Sequence, residues 1–232
     1  MKARKHKFTI TMLLCMLLLI INIGYLSSYT SIIQKTFART IVIDPGHGGK
    51  DGGASGVTGT VEKDINLAIS QKLQGYIETN GDVCLMTRES DTGLYEASST
   101  KWVKSKDLKK RKEIINSSNG DVFVSIHLNS FPQQQYYGAQ VFYQTENEQS
   151  KLLAECVQSQ MVSMLDPDNK RVAKASDTYY ILKNNPMPSI IVECGFLSNP
   201  REEKLLQDEE YQNKIAYAIY TGILKYLEGS KL

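Results

Sequence analysis

His47, His127, Glu62 and Glu193 are the residues with which this chain could do hydrolytic chemistry. The 232 residues include three histidines. His6 lies in a basic leader, so two remain for the rest of the chain. His47 stands in T-I-V-I-D-P-G-H-G-G-K-D-G-G, just after an apolar, β-branched run, and His127 closes the run V-F-V-S-I-H. Glu193 closes a third such run, S-I-I-V-E, and Glu62 opens a segment of helical periodicity. Two imidazoles and one carboxylate make a tetrahedral zinc site with water in the fourth position. A second carboxylate, unligated, can then act as base toward that water, a combination suited to cleaving an amide.

Each residue also has a plainer reading. Glu62 is a first-turn acid, favoured by the helix dipole. A lone His127 would be a hydrogen-bonded histidine at a strand end. The glycine-rich loop lacks the G-x-x-x-x-G-K-[ST] spacing of a phosphate loop. Ser125 lies two residues from His127, but no G-x-S-x-G elbow frames it. Glu193 is harder to set aside, because carboxylates are rarely buried unpaired. Cys194 is a possible ligand, yet as Glu193's neighbour on a strand it points to the opposite face.

The elements that must carry these residues follow from pattern. Ile65, Ile69, Leu73 and Ile77 recur at helical spacing and Gly81 marks a stop. Strands are expected at Asp82–Thr87, Val122–His127, Ala139–Gln144 (possibly an edge), Thr178–Leu182 and Ser189–Glu193. Helices are expected at Asp107–Ser117, with Leu108, Ile114 and Ile115 inward, and at Glu148–Leu165. Asn199 and Pro200 read as an N-cap and first residue of a further helix, followed by a last one at Glu210–Leu227. Glu89–Lys106 reads as a long polar loop containing Trp102, which we take as a loop anchor rather than a sugar platform. Leu128–Gly138 is a second polar loop, with Tyr136 and Tyr137. The alternation predicts an α/β fold: one domain, a mostly parallel or mixed sheet, helices on both faces. The site then lies at the carboxyl ends of the strands, where His47, His127 and Glu193 fall.

A net charge of +2 and nothing resembling a basic groove with interleaved aromatics argue against a nucleic-acid binder. Lys2, Arg4, Lys5 and Lys7 precede an uncharged run over residues 8–26, the pattern of export across the cytoplasmic membrane. Residues 1–38 are thus a leader and 39–232 the catalytic domain. The run is long enough to anchor in a membrane, and Thr36-Phe37-Ala38 is a passable cleavage site, so anchor and cleaved signal both stay open. Leu14, before Cys15, argues against lipidation. Cys84, Cys156 and Cys194 sit in apolar segments and read as buried free thiols.

Four motifs in order, I-V-I-D-P-G-H-G-G-K-D-G-G, V-E-K-D, S-I-H-L-N-S and I-I-V-E-C-G-F-L-S-N-P-R-E-E, resemble those of the zinc-dependent N-acetylmuramoyl-L-alanine amidases of amidase-3 type. The resemblance runs from Ile41 to the C-terminus. It implies hydrolysis of the amide between N-acetylmuramic acid and L-alanine in peptidoglycan, with His47, Glu62 and His127 as zinc ligands and Glu193 as the catalytic glutamate. The short N-terminal apolar segment and single amidase domain, together with R-E-S-D-T, R-K-E-I-I-N and G-A-Q-V-F-Y, are similar to the spore-cortex, germination-type branch. That branch implies a product that feeds muramic-δ-lactam formation, and a forespore or cortex location. The lack of a wall-binding module leaves room for an activating or recruiting protein partner. The competing readings are a zinc peptidase acting within the stem peptide and a non-catalytic wall-binding protein.

Overall fold

The computed structural model describes residues 12–25, 38–94 and 104–229. The chain forms two compact units, Met1–Ala38 and Arg39–Leu232. In the first, residues 12–25 are helical with exposed side chains, Cys15 among them. Among the described residues, no helix is long and apolar enough to cross a membrane. The leader's basic residues, both ends of its apolar run, Thr36, Phe37 and Trp102 lie outside the described residues.

The second unit is built on a six-stranded mixed sheet. Its strands are β1 (Thr40–Pro45), β2 (Val83–Met86), β3 (Val122–Asn129), β4 (Gln140–Tyr143), β5 (Lys174–Ala175) and β6 (Ser189–Phe196), in the order β2-β1-β3-β6-β4-β5. β2, β1, β3 and β6 run parallel, β4 is antiparallel to β6, and β5 is parallel to β4. The helices are α1 (Glu62–Thr79), α2 (Lys104–Ser117), α3 (Glu148–Leu165), α4 (Pro200–Leu206) and α5 (Glu209–Gly229). The chain leaves β1 for β2 on one side and returns to β3 on the other, so β1 and β3 flank the point where strand order reverses. In an open α/β sheet this is where a ligand crevice forms.

Side-chain alternation along the central strands sorts residues onto two faces. Ile41, Ile43, Val124, Ile126, Ile190 and Val192 join α1, α3 and α5 in the larger core. Val42, Phe123 and Ile191 join Ile115 of α2 and Ile181 and Leu182 in the smaller one. Continuing that second row toward the carboxyl ends gives Asp44 on β1, Ser125 and His127 on β3, and Glu193 on β6. The polar residues therefore cap the smaller core, in line with the strands that bury it.

Four expectations need correcting. Thr178–Leu182 is not a strand: Tyr180–Leu182 is a 3₁₀ turn. Ile181 and Leu182 are consecutive yet both buried in the smaller core, which an alternating strand would not allow. β4 is not an edge, because β5, too short to read as a strand in the sequence, pairs outside it. On α2 the inward stripe is Asp107, Arg111 and Ile115, whereas Leu108 and Ile114 are only half-buried. Two charged residues occupy that stripe because Arg111 is paired with both Asp107 and Asp44. The thiols are all free, but Cys194 alone is fully buried, while Cys84 and Cys156 are half-buried. As expected, Asn199 caps α4, accepting hydrogen bonds from the backbone N–H groups of Arg201 and Glu202.

Candidate metal centre and active site

The loop after β1 is shaped by what it must approach. His47 itself adopts a left-handed backbone, φ 64°. A Cβ on Gly46 would lie 2.3 Å from the His127 ring, and one on Gly53 would lie 2.5 Å from Glu62 Oε2. Only glycine at these two positions lets the loop close over both side chains.

Two buried arginines hold this loop to the sheet. Arg88 donates from Nε to the carbonyl of Pro45 (2.9 Å) and from Nη2 to those of Gly46 (3.0 Å) and Lys63 (2.9 Å). Arg111 donates from Nη1 to Asp44 Oδ1 (2.6 Å) and the Pro45 carbonyl (2.9 Å), from Nε to Asp107 Oδ2 (2.6 Å), and from Nη2 to the His47 carbonyl. Burial alone would raise the Asp44 carboxyl. Arg111, with hydrogen bonds from Thr87 and Ser125, more than offsets this and holds it down at about 2. Arg111→Met would leave two buried carboxylates without their cation, and we expect it to cost about 3–5 kcal/mol of stability, read from urea unfolding. Because Asp44 titrates lower folded than unfolded, it contributes stability above about pH 4. That contribution is lost as pH falls toward 2, so unfolding midpoints for Asp44→Asn should depend less on pH across this window.

Within this frame His47, Glu62 and His127 converge. Glu62 Oε1 lies 3.2 Å from His47 Nε2 and 3.0 Å from His127 Nδ1. The imidazole rings meet edge to face, centroids 5.0 Å apart. The same oxygen accepts hydrogen bonds from the Leu128 backbone N–H (3.0 Å) and Asn66 Nδ2 (3.2 Å), and Oε2 accepts one from the Ala54 N–H (2.8 Å). Burial would raise the Glu62 carboxyl, but the bonds and charge of His127 and His47 hold it well below the carboxylate range. His127 is pushed the other way: burial disfavours its charged form, and Glu62 outweighs burial and raises it. Asp51 Oδ2 comes within 3.0 Å of His47 Nδ1 but is not aligned as a hydrogen-bond acceptor, so we treat it as a nearby charge.

The three residues fit a metal. One ligand atom from each lies within 4.8 Å of the others, and this is the only such group among the described residues. The donor set, two neutral nitrogens and a carboxylate oxygen, is one zinc favours, and bonds of 2.0–2.1 Å in a tetrahedron set ligand edges of about 3.3 Å. The separations of 3.0 and 3.2 Å are close to this.

Glu193 is the direct register partner of His127 on the neighbouring parallel strand. It is 8% exposed, and its Oε2 has no hydrogen-bond partner. Burial pushes its carboxyl up; His127 pulls it down and Glu62 pushes it up further. All four residues line one cleft of about 360 Å³, with Asp44, Lys104, Arg111 and Tyr179. A larger depression of about 850 Å³ beside α3 and residues 167–173 contains none of them. We take the smaller cleft as the site, since the convergent polar groups are there. Cys194 points away into the larger core, and Ser125 donates to Asp44 Oδ2 at 2.7 Å, which makes it structural.

The sequence reading had not singled out Asp44, Asn66, Arg88, Arg111 or Tyr179. The signal available was weak: D-P ahead of G-H-G-G, and an arginine within each of R-E-S-D-T and R-K-E-I-I-N.

Comparison with known proteins agrees with this architecture. The sequence profile of the N-acetylmuramoyl-L-alanine amidases matches residues 41–225. The germination-specific N-acetylmuramoyl-L-alanine amidase of Bacillus subtilis is 39% identical over 190 residues, which are 81% of this chain and 79% of that protein. The solved structure of the CwlD amidase from Clostridioides difficile in complex with the GerS lipoprotein is 51% identical, with a TM-score of 0.80 over 82% of this chain and 99% of that one. An N-acetylmuramoyl-L-alanine amidase structure from Clostridium difficile 630 is 36% identical, with a TM-score of 0.72 over 82% and 97%. Over residues 41–225 the chain belongs to the N-acetylmuramoyl-L-alanine amidase family, hydrolases of peptidoglycan.

Proposed function

We propose that this protein is a zinc-dependent amidase that cleaves the bond between N-acetylmuramic acid and L-alanine, with the spore cortex as its substrate. The observation that carries the mechanism is the pairing of His127 and Glu193 across β3 and β6, beside the triad of His47, Glu62 and His127. His47, Glu62 and His127 would hold the zinc, which supplies Lewis acidity to the carbonyl and lowers the pKa of water. Asn66 and the Leu128 N–H fix the Glu62 carboxylate in the ligand position. Glu193 takes the proton of the attacking water at its free Oε2 and delivers it to the nitrogen of L-alanine as the amide breaks.

The cortex assignment is supported by similarity to the germination-specific enzyme of Bacillus subtilis and to CwlD. Cortex cleavage would leave muramic acid free of peptide, the form needed for muramic-δ-lactam formation by a separate deacetylase. The basic and apolar leader supports export to the cell-wall side of the membrane, with residues 8–26 as anchor or cleaved signal. The CwlD relative was solved with a lipoprotein, so we infer a lipoprotein-type partner here as well.

Zinc-loaded protein incubated with purified cortex and vegetative peptidoglycan should release stem peptides that begin with L-alanine, identified by mass. Release should stop on chelation and return with zinc. Fragments cut inside the stem would make the enzyme a peptidase. Equal release from both walls would remove the cortex preference.

A further inference from the structure

Glu193 is the only one of the four principal site residues with a carboxylate oxygen left unpaired, and its other oxygen has a single neighbour. The Tyr179 hydroxyl donates to Glu193 Oε1 at 3.3 Å. That is long for an O–H···O bond, so the contact is loose in this state and close enough to tighten by a small side-chain adjustment. The hydroxyl is placed by packing. The Tyr179 ring is half-buried against the smaller core and tilts onto Phe142, with centroids 5.4 Å apart. Phe142 is the register partner of Ile191, two residues before Glu193 on the same face. The Tyr179 carbonyl accepts the Leu182 N–H, which ties its backbone to the 3₁₀ turn. Both Tyr179 and Glu193 line the cleft.

We propose that Tyr179 is the positioning residue for the catalytic base: its hydroxyl holds Glu193 Oε1, so that the unpartnered Oε2 is the oxygen left to take the proton. The inference rests on the amidase reading, in which Glu193 is the base. A buried carboxylate with both oxygens free would rotate about its terminal torsion, whose wells are broad. One donor on one oxygen removes that freedom and leaves the other oxygen as the sole proton acceptor. The phenol suits the task because burial, and then the charge of Glu193, push its ionisation upward, and it remains a donor throughout the working pH range. Tyr179 exchanges no proton with substrate, so its effect should appear in turnover rather than in substrate or metal binding.

The test is a double-mutant cycle with Tyr179→Phe, which keeps the ring packing, and Glu193→Gln. Tyr179→Phe should lower kcat about 10- to 100-fold with KM and zinc content unchanged. The same substitution should have little further effect in the Glu193→Gln background, where no base remains to be held. Infrared difference spectra of Tyr179→Phe against wild type should show a shifted carboxylate stretch that is absent in that background. An unchanged kcat, or an equal loss with and without Glu193, would overturn this role while leaving the amidase reading intact. A KM increase without loss of kcat would make Tyr179 a substrate contact instead. If wild type releases no stem peptide that begins with L-alanine, the amidase reading fails, and this role fails with it.

Discussion

Glu193→Gln is expected to lower kcat by about 10²–10⁴-fold while zinc content stays at the wild-type level. The substitution keeps the volume of the side chain and an acceptor for Tyr179 but removes the group that can take a proton. Glu193 is the partner of His127 on the next strand rather than a member of the ligand triad, so the triad keeps its three donor atoms. Fold damage should be slight: the unpaired Oε2 becomes an amide or carbonyl with no bond to lose. The measurement is turnover on defined muramoyl peptides, together with zinc per chain by elemental analysis. A variant that loses zinc along with activity would show that Glu193 is a ligand, and the roles of the two glutamates would have to be exchanged.

Glu62→Gln should give the opposite pattern, with zinc affinity reduced at least about 10²-fold and activity falling with it. Glu62 is 3% exposed, and its Oε1 accepts hydrogen bonds from a backbone N–H and the Asn66 amide while two imidazole nitrogens lie within 3.2 Å of it. A glutamine offers a neutral oxygen there, and its amide nitrogen would face the Ala54 N–H that Oε2 now accepts, donor against donor. A negative charge that balances a divalent cation is lost at the same time. Zinc affinity by competition with a chromophoric chelator, compared with Glu193→Gln, separates ligand from base. Equal zinc affinity in Glu62→Gln and wild type would remove Glu62 from the ligand set.

The sequence by itself placed the strands and helices that matter, because hydrophobic periodicity is a local property. Ile65, Ile69, Leu73 and Ile77 sit at helical spacing and are all buried. The runs before His47, His127 and Glu193 became the three adjacent central strands β1, β3 and β6. The four principal site residues were legible for the same reason: each lies at the end or start of an element, and the ordered motifs around them are distinctive. Local chemistry also fixed the Asn199 cap and the outward turn of Cys194 from the site.

Other features depended on pairings between distant parts of the chain, which no local pattern reports. Arg111 looked like one cation among the lysines of α2, yet it is buried because Asp44 of β1, 67 residues away, meets it on the face of the sheet that α2 covers. That pair displaced the expected apolar stripe of α2 and, with Arg88, set the height of the His47 loop. Aromatic residues at Tyr179 and Tyr180 favour a strand by propensity, but packing of Ile181 and Leu182 into the smaller core turned the segment into a 3₁₀ turn and brought the Tyr179 hydroxyl to Glu193. β5 is a two-residue strand that exists only because β4 offers it an edge. The sequence thus determined the fold class and the family, and singled out the candidate reacting groups, through spacing that each segment carries within itself. Which charges are buried, and which hydroxyl orients the proposed base, were decided by tertiary packing, since a buried charge is tolerated only where the folded chain supplies its partner.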